Sequence, residues 1–233
     1  VKMQQNSTLE VCGYKIENSS IQLYQNWNIL AYLNDTPMPV EEALFPIYNE
    51  LIIMKDELAN VYWPFLGINT IGNMLPGQAY AIKLYSDSDF SYPINEEASR
   101  LNNGAKIKPE YYSSVLNTGV NMTIGIPKNI LDEIAIYGDE IGVFDSNNLL
   151  VGSNVFTENN MAVTVWGNDF SNNYKDGMEE GETLSFKIWN KASQIENILF
   201  VKSWEEGNGI YNSNDISIVG EFHPTYRNLF DVK

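Results

Sequence analysis

Glu140-Ile141-Gly142-Val143-Phe144-Asp145-Ser146-Asn147-Asn148-Leu149-Leu150-Val151-Gly152-Ser153-Asn154-Val155-Phe156 decides the fold. Two apolar runs of strand length flank a polar break, Asp145 to Asn148. Asn and Asp suit such a break because they tolerate left-handed backbone and bond their own main chain. Glu158-Asn159-Asn160 punctuates the next junction, and Gly207-Asn208-Gly209 a later one. The same reading extended both ways gives strands over residues 112–116, 122–126, 140–145, 149–156, 161–166, 183–189, 198–204 and 216–222. Residues 130–136 have room for one helical turn. Short strands at this spacing, with almost no helical period, predict an all-β sandwich of seven to eight strands over residues 111–222. Asn outnumbers Lys and Arg together, 29 to 14, which suits a loop-rich β protein.

Upstream the pattern changes. Trp27-Asn28-Ile29-Leu30-Ala31-Tyr32-Leu33 reads as a buried strand. Thr36 can cap a helix that Pro37 opens, with Val40, Ala43, Leu44, Ile47 and Tyr48 on its apolar face. Pro46 must shorten or kink that helix. Strands over 51–55, 61–63, 78–85 and 90–94, with a long ordered loop over 67–77, complete an α+β module: a mixed sheet with one helix. Residues 95–110 are polar, carry Asn102-Asn103-Gly104 and Pro109, and read as a linker. The expected organisation is therefore a repeat-like α+β module over 1–94, the linker, the sandwich over 111–222 and a tail over 223–233. Val1-Lys2-Met3 is similar to Ile82-Lys83-Leu84, and at the same offset Leu9 and Val11 fall on Phe90 and Tyr92. Residues 1–16 then read as the end of a preceding copy of the module; the alternative is chance likeness between two amphipathic hairpins.

Composition narrows the function. The chain has 233 residues, 44% of them apolar, which is ample for a buried core. Thirty acids against fourteen bases leave a formal charge of -16. Nucleic acid is excluded as a partner, because phosphate binding needs a basic face, and an anionic membrane surface is disfavoured likewise. No apolar run approaches the ~18 residues of a membrane helix, so membrane insertion is not expected. Cys12 and His223 are single. Intrachain disulfides, two-Cys zinc motifs and relays between two imidazoles have no residues to form them.

Candidate chemistry is sparse. In Asp169-Phe170-Ser171-Asn172-Asn173-Tyr174-Lys175-Asp176-Gly177-Met178-Glu179-Glu180, oxygen groups at Asp169, Ser171, Asn173 and Glu180 follow part of the spacing of a calcium loop. Tyr174 stands where the sharp turn wants Gly, and the flanks read as strands. Two readings remain: a Ca2+ loop of another kind, or a solvated acidic connection, the commoner case. Calcium is the one cofactor the pattern allows. Asp139, Glu140 and Asp145 flank one strand and raise the idea of a glycosidase pair, though with thirty acids such neighbours arise by accident. Trp166, Trp189 and Trp204 end apolar strands, where the ordinary role is core packing. Tyr62-Trp63-Pro64-Phe65 reads as an exposed aromatic cluster, with Tyr62, Trp63 and Phe65 as candidate glycan-stacking residues. There is no Gly-x-Ser-x-Gly elbow and no phosphate loop. Asn6, Asn18, Asn34 and Asn121 lie in Asn-x-Ser/Thr, glycan acceptors in a eukaryotic secreted chain.

Two longer stretches carry a resemblance. The first runs through Trp27-Asn28-Ile29-Leu30-Ala31-Tyr32, Asp35-Thr36-Pro37-Met38-Pro39-Val40-Glu41-Glu42-Ala43-Leu44, Val61-Tyr62-Trp63-Pro64 and Gly67-Ile68-Asn69-Thr70-Ile71-Gly72-Asn73-Met74-Leu75-Pro76-Gly77-Gln78-Ala79-Tyr80. It resembles a module of large Bacteroidetes surface proteins. The second includes Asn121-Met122-Thr123-Ile124-Gly125-Ile126-Pro127 and Gly138-Asp139-Glu140-Ile141-Gly142-Val143-Phe144-Asp145, and is similar to a β module that often follows. Tyr226 to Lys233 resembles the approach to a C-terminal sorting domain. The resemblance implies export by the type IX secretion system through a downstream sorting domain, and an extracellular or cell-surface, adhesin-like role. It carries no catalytic residue over. The function expected is therefore non-catalytic: adhesion, or a structural and presentation unit, with other surface proteins or extracellular glycans as partners. The alternative is a carbohydrate-binding accessory module of a secreted hydrolase.

Overall fold

A computed structural model describes residues 20–93, 107–113, 115–169 and 171–223. The opening hairpin, Cys12, Asn6, Asn18, most of the expected linker and residues 224–233 lie outside the described residues. The chain is mostly β, with several sheets and only short helices.

The N-terminal module contains β1 (Ile21–Leu23), β2 (Asn26–Ala31), β3 (Met38–Pro39), α1 (Val40–Ala43), β4 (Leu51–Lys55), β5 (Val61–Trp63), β6 (Ile68–Asn69), β7 (Asn73–Met74), β8 (Ala79–Leu84) and β9 (Ser88–Phe90). Its main sheet has the order β2-β8-β4-β5-β6. Every pairing in it is antiparallel, which corrects the expectation of a mixed sheet. The connections explain this: β4 reaches β5 through a tight turn, and no helical crossover of the length a parallel pair needs is present. The helix ends at Ala43, and a 3-10 turn over Phe45–Ile47 carries Pro46, so the proline interrupts it as its missing N–H requires. Pro39, not Thr36, stands at the N-cap position of α1, and it makes no side-chain capping bond. Tyr48 is half exposed and does not share the buried face of Val40, Ala43, Leu44 and Ile47. The expected loop over 67–77 contains β6 and β7.

The sandwich contains β10 (Asn121–Ile126), α2 (Lys128–Leu131), β11 (Glu140–Phe144), β12 (Leu150–Val155), β13 (Met161–Trp166), β14 (Ser185–Asn190), β15 (Ile195–Leu199), β16 (Val201–Glu206) and β17 (Ile216–Phe222). Two four-stranded sheets, β13-β10-β17-β16 and β12-β11-β14-β15, enclose one core built on Ile124, Val143, Val163, Phe186 and Val219. β10 and β17 pair in parallel; the other pairings are antiparallel.

Eight strands are present, but not the eight expected. Residues 112 and 113, like 115 and 116, form no strand. Tyr112 is instead buried against Phe144, and its N–H goes to the Glu140 carboxylate at 2.8 Å. The run over 198–204 is two strands. β15 belongs to one sheet, β16 to the other, and the chain crosses between them at the exposed Phe200. A continuous apolar run conceals such a crossing, because both strands face the same core.

Candidate functional site

The N-terminal sheet is apolar on both faces. Met54, Tyr62 and Ile82 point toward α1, while Ile53, Val61, Trp63 and Ile68 point the other way. Strand alternation puts these sets on opposite sides. The second face, extended by Leu66, meets the outer face of the sandwich, where Ile216 and Ile218 of β17 join the same buried cluster. Two β layers thus share an apolar seam, and Gly125 of β10 lies directly beneath Trp63 and Leu66.

At one end of the seam lies Lys55, only 5% exposed. Its ammonium donates to Asn121 Oδ1 at 3.1 Å and stands 5.1 Å from the centre of the Trp27 ring. Trp27 in turn donates its indole N–H to the Asn214 carbonyl at 2.8 Å. Burial, reinforced by nearby Lys83, lowers the Lys55 ammonium from its ordinary value to about 7; Asp215 acts in the opposite direction. Asn121 is thus tied to Lys55, and Thr123, two residues on, is fully buried.

Beside the seam the two units stand apart and form a cleft of about 650 Å³. The turn over 56–60 and the β5–β6 ribbon make one wall. The opposite wall comes from β12, β13 and their connecting turn, each strand being an edge of its own sheet. Hydrogen bonds hold the walls together: Thr164 Oγ1 donates to the Ala59 carbonyl at 3.2 Å, and Asn160 Nδ2 to the Leu66 carbonyl at 2.7 Å. Ala59 has a left-handed backbone, φ 59°, strained for a non-glycine residue. Asp56 supports that turn by accepting the N–H groups of Leu58 and Asn60 at 2.9 and 2.8 Å. Among the described residues no Asp, Glu, Lys, Arg or His lines the cleft, and about half of the lining side chains end in a hydroxyl or carboxamide. Such walls can exchange hydrogen bonds with a neutral ligand and pack against its apolar parts.

The aromatic cluster expected over 62–65 is corrected. Trp63 is 1% and Tyr62 5% exposed, and only Phe65, at 67%, faces solvent. Both faces of β5 are covered, so adjacent aromatics are buried in two different cores. Of the candidate calcium residues, Asp169 accepts both the N–H and the hydroxyl of Ser171, at 2.8 and 2.9 Å, which holds its carboxyl below the usual range. Glu180 instead binds the N–H and hydroxyl of Ser213, and Asn173 is exposed. Among the described residues, no group of three or more His, Cys, Asp and Glu is gathered.

The acids flanking β11 do not form a pair across a cleft. Asp139 and Glu140 stand at one end of the strand and Asp145 at the other, about 17 Å along it at the rise of an extended chain. All three are buried and bonded. Asp139 accepts from the main chain of Ile136 and Lys191. Glu140 gathers the N–H groups of Glu110, Tyr111 and Tyr112 at 2.8 to 3.1 Å. Asp145 accepts from Asn147, Leu149 and Lys175; burial acts to raise its carboxyl, but these donors prevail and it lies below the ordinary value.

Trp166 is buried, whereas Trp189 is half-buried and stacks on Tyr111 at 3.8 Å. Lys55 and the cleft were not read from the sequence. One signal was available: Leu51-Ile52-Ile53-Met54 does not alternate with polar residues, as expected of a strand covered on both faces. No family model matches the chain, and comparison with curated proteins and with solved structures finds no match.

Proposed function

We propose that this chain is a non-catalytic structural and presentation module of a secreted or cell-surface bacterial protein, holding a surface at a set distance and orientation. The observation that carries this reading is the shared apolar seam, in which Ile53, Val61, Trp63 and Leu66 of one unit bury against Ile216 and Ile218 of the other. Two β units joined by a linker alone would move independently. Units that bury a common core separate only by exposing it to water.

The buried acids support the same reading. Asp139, Glu140 and Asp145 hold main-chain N–H groups and Lys175, which is a structural use of charge. The resemblance of Tyr226 to Lys233 supports export through the type IX machinery by a sorting domain farther along the chain.

Spin labels on exposed sites such as Tyr24 and Ile195 test the reading by pulsed distance measurement. A single narrow distance distribution supports it, and a broad one sinks it. Coding sequence for a sorting domain beyond Lys233 would support the export route; another protein end there would remove it.

A further inference from the structure

We propose that the cleft between the N-terminal module and the sandwich edge binds a short, neutral, polyhydroxylated ligand, an uncharged oligosaccharide. This goes beyond the presentation reading, since a spacer needs no ligand, and it assigns the ligand to a surface other than the Tyr62–Phe65 segment. Size is the first argument: about 650 Å³ lies within the roughly 300–1,000 Å³ of small-molecule sites.

Charge is the second. Asp, Glu, Lys and Arg make up 19% of the chain, yet among the described residues none of them lines this cleft. An anion entering it would lose water without meeting a cation, inside a molecule of net charge -16. A cation would meet no carboxylate among the described lining residues. A neutral ligand incurs neither cost.

Lining chemistry is the third. Hydroxyls and carboxamides alternate with Val61, Ile68, Met161 and Trp166. A purely apolar ligand would leave the polar groups unpaired, whereas a sugar offers hydroxyls to them and its C–H faces to the apolar positions. Among the described residues the hydroxyls of Tyr137 and Thr157 have no hydrogen-bond partner, and Tyr137 is 57% exposed at the mouth. The walls are already tied by Asn160 and Thr164, so little ordering remains to be done on binding. The competing occupant, an extended peptide added to β13, is disfavoured. Asn154 Nδ2 already occupies the Ala162 carbonyl at 2.7 Å, and at Gly152 the backbone of β12 lies against the Thr164 carbonyl.

The test uses the full chain, titrated calorimetrically with neutral tri- to hexasaccharides of glucose, xylose, mannose and galactose, beside matched uronate oligosaccharides. At least one neutral sugar is expected to bind, more tightly than any uronate. Tyr137→Ala and Asn159→Ala are expected to weaken it roughly fivefold each, the loss of about one hydrogen bond, with the melting temperature unchanged. Hydrogen exchange on the unmodified chain should show sugar-dependent protection over residues 153–164, which needs no variant. Failure of the whole neutral panel at millimolar concentration overturns the proposal. So does protection elsewhere, a preference for uronates, or capture of extended peptides in the same cleft. The label-to-label distance is independent of all these results, so the presentation reading stands or falls separately.

Discussion

Gly125 and Leu66 meet across the seam with no room for a side chain between them. A Cβ built at Gly125 would overlap Leu66 Cδ1 and press on the Trp63 ring at 3.1 and 3.2 Å. The backbone of β10 is thereby drawn directly under the N-terminal sheet, and the two cores are brought into contact at a glycine.

Gly125→Val is therefore expected to pry the units apart. Overpacking of this kind costs about 1–3 kcal/mol. Urea unfolding of the variant should split into two transitions where the parent shows one, and the label-to-label distance should broaden. A single transition at the parent midpoint would show that the seam tolerates the side chain.

Lys55 makes stability depend on pH in a defined window. Its folded value is about 7, against 10.5 for an exposed lysine. Between these values the unfolded chain binds more proton, so stability rises with pH, by at most about 1.4 kcal/mol per unit. Below pH 7 both states are protonated and the full penalty of the buried charge remains. The neighbouring ionisable groups are Lys83, Asp215 and, facing Lys83, Glu206. Burial raises Tyr62 to about 12, which turns the trend downward above pH 10. Denaturant midpoints from pH 6 to 9 should climb in the parent and stay flatter in Lys55→Met, which should also be the more stable protein at pH 6. Parallel curves would end the assignment.

Glu140 is a clamp on the chain entering the sandwich. Glu140→Ala strips the partner from three main-chain N–H groups, those of Glu110, Tyr111 and Tyr112. A loss of at least about 2 kcal/mol is expected, since charged acceptors contribute more than neutral ones. Proteolysis should cut faster near Glu110, and a cleavage rate equal to the parent's would count against the clamp.

Trp63 and Phe65, two residues apart, should respond oppositely to truncation. Trp63→Ala empties a site that is 1% exposed and should cost about 3–5 kcal/mol. Phe65→Ala, at 67% exposure, should shift stability by less than about 0.5 kcal/mol. Chemical denaturation of both variants distinguishes this from an exposed aromatic platform, where neither would matter to folding.

Local signals in the sequence determined the β-rich class, the hairpin turn at Asp145 and the interruption of the helix at Pro46. Each depends on backbone preference or on the spacing of apolar residues within one element, and needs no knowledge of neighbours. The break near Asn159, which also reads as a hairpin turn, instead joins β12 and β13 of different sheets. The tertiary structure alone decided what covers each apolar face. Periodicity marked Tyr62 and Trp63 as apolar but could not assign them to two separate cores. It could not show that Phe200 carries the chain from one sheet to the other, because both strands keep facing one interior. Nor could it find the cleft, whose walls come from residues 58–70 and 153–166, with Ile107, Val115 and Tyr137, and meet only when the two sheets pack. Burial and neutrality of a surface are properties of distant segments brought together, and no window along the chain contains them.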